Sequence, residues 1–64
     1  MAYRKKTVVA AVNELNDLLG LDPQIDPNRP VKVLLEDLKE AAQLLEEDDE
    51  LSAETEALIA ELLG

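Results

Sequence analysis

Sixty-four residues make one domain at most, and here they carry 15 acids against 6 bases, a net charge of −9. The chain holds no Cys, His or Trp. That excludes disulfides, zinc sites built on Cys or His, and nucleophilic triads that rely on an imidazole base. A chain this short buries a smaller share of its surface than a longer one, so its core is marginal by default, although 20 Val, Leu and Ile residues and 8 alanines are there to build it.

Charge is spread unevenly: residues 1–6 carry +3 and residues 31–64 carry −9. An acidic half of this kind repels nucleic acid and anionic lipid, while favouring solubility and basic protein partners. The longest apolar run, Val8–Val12, is broken by Asn13 and Glu14. Neither a signal peptide nor a membrane span is expected, and a soluble cytoplasmic protein is.

In chain order, residues 1–6 read as a flexible basic start, with Thr7 as N-cap of a first helix over 7–19. At 100° per residue Val8, Val12, Leu15 and Leu19 share one narrow arc, which Ala11 and Leu18 widen; Asn13, Glu14 and Asp17 take the opposite side. Gly20 suits the left-handed position that ends a helix, and Leu21 can fold back over the last turn. Pro23 then bars continuation. The stretch from Leu21 to Arg29 repeats Asp-Pro and predicts consecutive turns, with Ile25 as its core plug. Asp26-Pro27 could alternatively open a short turn of helix.

Pro30 is a good first-turn residue for a second helix over 30–47. Val31, Leu38 and Leu45 repeat every seven residues, and Leu34, Leu35, Ala41 and Ala42 fill the same stripe. Val33 and Leu44 project away from it, beside Asp37 and Glu40; these four form the candidate interface. The acidic run Glu46–Glu50 marks the next turn. Ser52 is a natural N-cap for a third helix over 52–63, where Leu58, Ile59 and Leu62 cluster with Leu51 entering on the same side. The candidate core is therefore Val8, Val12, Leu15, Leu19, Leu21, Val31, Leu34, Leu35, Leu38, Leu45, Leu51, Leu58, Ile59 and Leu62. The expected architecture is an all-α, small three-helix bundle forming one domain over 1–64, with helix two central and homodimerisation as a possible completion.

Function is narrowed mainly by what is missing. Ser52 is the only serine and the many carboxylates look exposed, so no catalytic residues, cofactor, metal or small-molecule substrate are expected. The acidic run lacks the Asp-x-Asp-x-Asp-Gly spacing of a calcium loop, and Asp22, Asp26 and Asn28 lack the turn glycine; both read as solvated loops. A helix-turn-helix would use the third helix as its reader, but that helix has Glu54, Glu56 and Glu61 and no cation. Acyl-carrier proteins place their serine in an Asp-Ser-Leu setting, whereas here it sits in Leu51-Ser52-Ala53. The segment from Thr7 to Asn16, Thr-Val-Val-Ala-Ala-Val-Asn-Glu-Leu-Asn, resembles a short helical segment of phage tail and other virion-associated proteins. Over those ten residues the resemblance implies a phage or prophage origin and no activity.

The leading expectation is a non-enzymatic protein–protein interaction module with an acidic surface, self-associating or bound to a basic protein partner, with no nucleic acid or membrane partner. The alternatives are a small accessory or assembly component of a larger particle such as a phage structure, and an acidic regulator that mimics nucleic acid.

Overall fold

The computed structural model describes residues 3–64 and is a small three-helix bundle; among the described residues there is no strand. The helices are α1 (Lys5–Leu19), α2 (Val31–Ala42) and α3 (Ala53–Leu63). All three pack on one another, α1 sharing the most contact with the other two. Helix one is thus the central element, in place of helix two. It supplies four side chains with no exposure, Val8, Ala11, Val12 and Leu15, against two from α2, Leu34 and Leu38. Ala41, Ala42, Leu58 and Ile59 close the buried cluster. Leu19, Leu21, Val31, Leu35, Leu45, Leu51 and Leu62 pack partly buried around it, joined by Tyr3, Val9 and Ile25. Alanine at 11, 41 and 42 allows the close helix approach that a core without Phe or Trp requires.

Helix one begins earlier than the Thr7 cap implied. Arg4 is its N-cap, in extended conformation and without a side-chain cap, and the Arg4 carbonyl accepts from Val8 N–H at 3.0 Å. Tyr3 packs on the core and anchors this extra turn, so tertiary contact replaces the missing cap. Of the flexible basic start expected over 1–6, Lys5 and Lys6 are therefore helical, while Met1 and Ala2 lie outside the described residues. The far end follows the punctuation in the sequence. Gly20 is left-handed (φ 58°, ψ 43°), and the Asn16 carbonyl accepts from both Gly20 N–H and Leu21 N–H. The second of these bonds is the six-to-one closure of a Schellman-type end.

Helix two starts one residue later than expected, with Pro30 as its cap, and stops at Ala42 instead of 47. Gln43, Leu44 and Leu45 N–H donate to the Glu40, Ala41 and Ala42 carbonyls, three residues back in each case, so the last turn is wound tighter than an α-helix. The physical reason is the acidic run. Extending α2 through Glu46 and Glu47 would set carboxylates against the negative helix end, whereas stopping at Ala42 keeps them beyond it. Leu45 still reaches the core from this tighter path. The turn that follows is closed by two bonds: Asp49 N–H donates to the Glu46 carbonyl at 3.1 Å, and the Asp49 carboxylate accepts from Glu46 N–H at 2.9 Å.

Candidate functional site

The connection between α1 and α2 is held by one side chain. Asn16, 6% exposed, donates from Nδ2 to the Ile25 carbonyl at 2.9 Å and accepts from Ile25 N–H through Oδ1 at 2.8 Å. An amide used in this way imitates a strand neighbour and satisfies both backbone groups of a residue in a proline-rich loop. Ile25 then packs on the core as a plug. Beyond it Asp26 to Arg29 forms a turn, with Arg29 N–H on the Asp26 carbonyl at 3.3 Å and Asn28 N–H on the Asp26 carboxylate at 2.9 Å. The Asp22–Pro23 peptide bond is cis.

Pinned in this way, the loop forms one wall of a shallow groove, and the end of α2 forms the other. Leu21, Pro23, Ile25, Ala41 and Leu44 provide its apolar surface, while Asp37 and Glu40 provide an acidic rim. Its volume is about 210 Å³. Small-molecule sites usually enclose roughly 300–1,000 Å³, so this groove suits a single large side chain better than a free ligand. Leu44 is 61% exposed, against 53% for Leu63 and 38% for Leu18. It is the most exposed of these three large aliphatics, and the early end of α2 is what leaves it beside the loop.

The four residues of the expected interface are only partly brought together. Leu44, Asp37 and Glu40 line the groove; Val33 does not. Val33 is half-buried on α2, three turns before Leu44 and, on an ideal helix, about 16 Å away along the axis. The wheel assigned both to one side, but the chain leaves the helix at Ala42, and Leu44 turns towards Leu21 and Ile25 instead. Arg29 and Asp37 form an ion pair at 3.4 Å at the rim, the only one among the described residues.

Sequence reasoning also missed a polar cluster at the start of α3. Ser52 caps it, accepting from Thr55 N–H at 3.4 Å. The reciprocal half of the capping box, a carboxylate returning to the cap residue's own N–H, normally comes from the third residue of the helix. That residue is Thr55, and the carboxylate comes from Glu14 of α1, whose Oε2 accepts from Ser52 N–H at 3.0 Å. Thr55 Oγ1 also donates to Glu14 at 3.4 Å and accepts from Ser52 Oγ at 3.1 Å. Glu14 was expected on the wet side of α1 and is half-buried; Thr55 is 3% exposed. A hydroxyl-to-carboxylate chain of this kind superficially resembles a catalytic relay, but its groups are engaged in joining the two helices. The local signal was the missing Glu at position 55, which leaves Ser52 N–H needing an acceptor from elsewhere. For Asn16 it was an amide flanking the apolar arc one turn before Gly20.

No protein-family model, curated protein or solved structure matches this chain.

Other depressions are larger than the groove beside Leu44 but are lined more by charged side chains. A larger cleft, about 610 Å³, lies between the start of α1 and α3, where Arg4 and Lys6 face Glu54 and Glu61 over Ala10, Ala57 and Leu58. Since Glu14 meets Ser52 at the opposite end, α1 and α3 run antiparallel. A further depression around the acidic turn is lined by Glu46, Glu47, Asp49, Glu50 and Glu56, yet among the described residues no three potential metal ligands converge. No helix there is long and apolar enough to cross a membrane.

Proposed function

We propose that this chain is a non-enzymatic protein–protein interaction module, which docks another protein or a second copy of itself through the groove beside Leu44. The observation that carries this reading is the position of Leu44. A large aliphatic side chain, 61% exposed, borders an apolar trough that has an acidic rim and one wall held by the Asn16–Ile25 bonds. Single exposed aliphatics are ordinary, but one that continues a preformed apolar trough adds a contiguous surface for a partner side chain. A preformed trough also lowers the ordering cost of association.

Site-specific photo-crosslinking tests the reading. A benzophenone side chain in place of Leu44 should give discrete adducts in extracts of the native host, or a covalent dimer of the purified chain. The same group in place of the exposed Asn13 should give neither. Sedimentation velocity from micromolar to millimolar concentration then separates self-association from hetero-association. Equal labelling from both positions, or none from either, would remove the groove as a docking surface.

A further inference from the structure

The groove already contains a hint of the chemistry it accepts. Arg29 arrives on the loop that forms one wall and places its guanidinium 3.4 Å from Asp37 on the other. Its side chain is 54% exposed, and it makes one contact with the carboxylate instead of the two-point fork of a strong arginine pair. Such an exposed, single-contact pair is easily replaced. Glu40 stands one turn after Asp37 on α2, close enough on a helix surface for one cation to interact with both, and has no ion-pair partner among the described residues. Both acids line the same depression as the apolar residues of the trough.

Charge also bears on the identity of the occupant. A second copy would bring another −9 towards the first, and with it a second Asp37 and Glu40. The only basic cluster it could offer is Arg4–Lys6. Among the described residues, the neighbouring aromatic and aliphatic side chains, Tyr3, Val8 and Val9, are packed on its own core, which makes them poor anchors for the trough. A segment of another protein is not limited in this way.

We infer that the groove takes a basic segment bearing one large aliphatic side chain: the aliphatic group fills the trough beside Leu44, and a flanking Lys or Arg replaces Arg29 on Asp37 and is shared with Glu40. This rests on the docking role proposed above and deepens it by naming the partner's chemistry. Arg29 then acts as an internal competitor, occupying the acid until a partner's cation arrives.

The test uses the full chain, labelled with nitrogen-15, and three synthetic 12-residue peptides. The first is an Arg/Ala peptide with one central Leu; the second replaces that Leu with Ala; the third replaces each Arg with Glu. Amide shifts on adding the first should centre on Leu21, Ile25, Glu40, Ala41 and Leu44, and affinity should fall as salt is raised. Loss of the Leu should weaken binding roughly tenfold or more, as expected for an aliphatic group leaving an apolar site. The Glu peptide should not bind. Arg29→Gln should tighten binding of the first peptide by a factor of about two to five, the scale of an exposed ion pair, and Glu40→Gln should weaken it by a similar factor.

Equal binding of the Leu-free peptide, shifts centred on Glu46–Glu50, or an Arg29→Gln variant that binds no more tightly would overturn the inference. Those failures are distinguishable from failure of the docking role. If the peptides give no localised shifts but Leu44 still cross-links to a discrete protein or a second copy, the interaction module stands and the basic segment falls.

Discussion

Replacing Asn16 with alanine removes two hydrogen bonds at once, of 2.9 and 2.8 Å, and leaves the Ile25 N–H and carbonyl without their partner. A buried polar backbone group left unpaired costs about 1–3 kcal/mol. Ile25 is half-buried, so water recovers part of that for each group, and a combined loss of about 2 kcal/mol is expected. For a domain of this size total stability is only about 3–10 kcal/mol, so the change is large. It corresponds to a fall in Tm of roughly 8–16 °C, measurable by helical circular dichroism at 222 nm. Urea titration should show a lower midpoint with an unchanged slope. Two companion measurements isolate the cause. The Ile25 amide should exchange slowly in the parent and rapidly in Asn16→Ala, although it lies in a loop. Asn16→Asp keeps an acceptor for Ile25 N–H but turns a carboxylate oxygen towards the Ile25 carbonyl, so it should be at least as destabilising as alanine near neutral pH. An Asn16→Ala variant within 0.5 kcal/mol of the parent, or a neutral Asn16→Asp, would refute the clamp and with it the rigid groove wall.

The remaining perturbations address other parts of the fold. Glu14→Ala and Ser52→Ala should each cost about 0.5–2 kcal/mol in urea titrations, with the double variant losing less than the sum because the two share the start of α3. Gly20→Ala meets open space at the added Cβ, so its cost of about 1–2 kcal/mol is purely that of a left-handed backbone at φ 58°. Leu34→Ala, at a site with no exposure, should lose about 2–5 kcal/mol. Leu44→Glu, by contrast, should change thermal stability by less than about 0.5 kcal/mol while abolishing photo-crosslinking introduced on the groove rim.

Punctuation was the most legible part of the sequence. Gly20, Pro30 and Ser52 each mark a helix end through a property of the residue itself: an accessible left-handed conformation, a fixed φ without an N–H, and a short side-chain acceptor. Apolar periodicity likewise identified every large aliphatic of the buried cluster. The errors arose where the deciding partner was distant. The Val31–Leu38–Leu45 repeat suggested a helix through 47, yet Leu45 reaches the core equally from a tighter turn, so the pattern could not tell the two paths apart. Lys5 and Lys6 are helical because Tyr3 is anchored on the core, a contact with no signature in local propensity. The candidate site was half legible for the same reason: Leu44, Asp37 and Glu40 could be found on a wheel, but the opposing wall exists only because Asn16 holds Ile25.

The cap that Glu14 supplies to α3 bears on the order in which the molecule assembles. At 11 residues α3 is too short to persist alone in water, and the acceptor for Ser52 N–H lies 38 positions upstream. The start of α3 therefore reaches its lowest energy only after α1 has formed and the intervening loop has closed, an entropic step that precedes its reward. A contact that is still absent from the transition state contributes little to the barrier for folding and much to the barrier for unfolding. If the Glu14–Ser52 contact is a latch of this kind, Glu14→Ala should speed unfolding and leave the folding rate nearly unchanged in stopped-flow urea jumps; a slowed folding arm would place the contact in the nucleus instead.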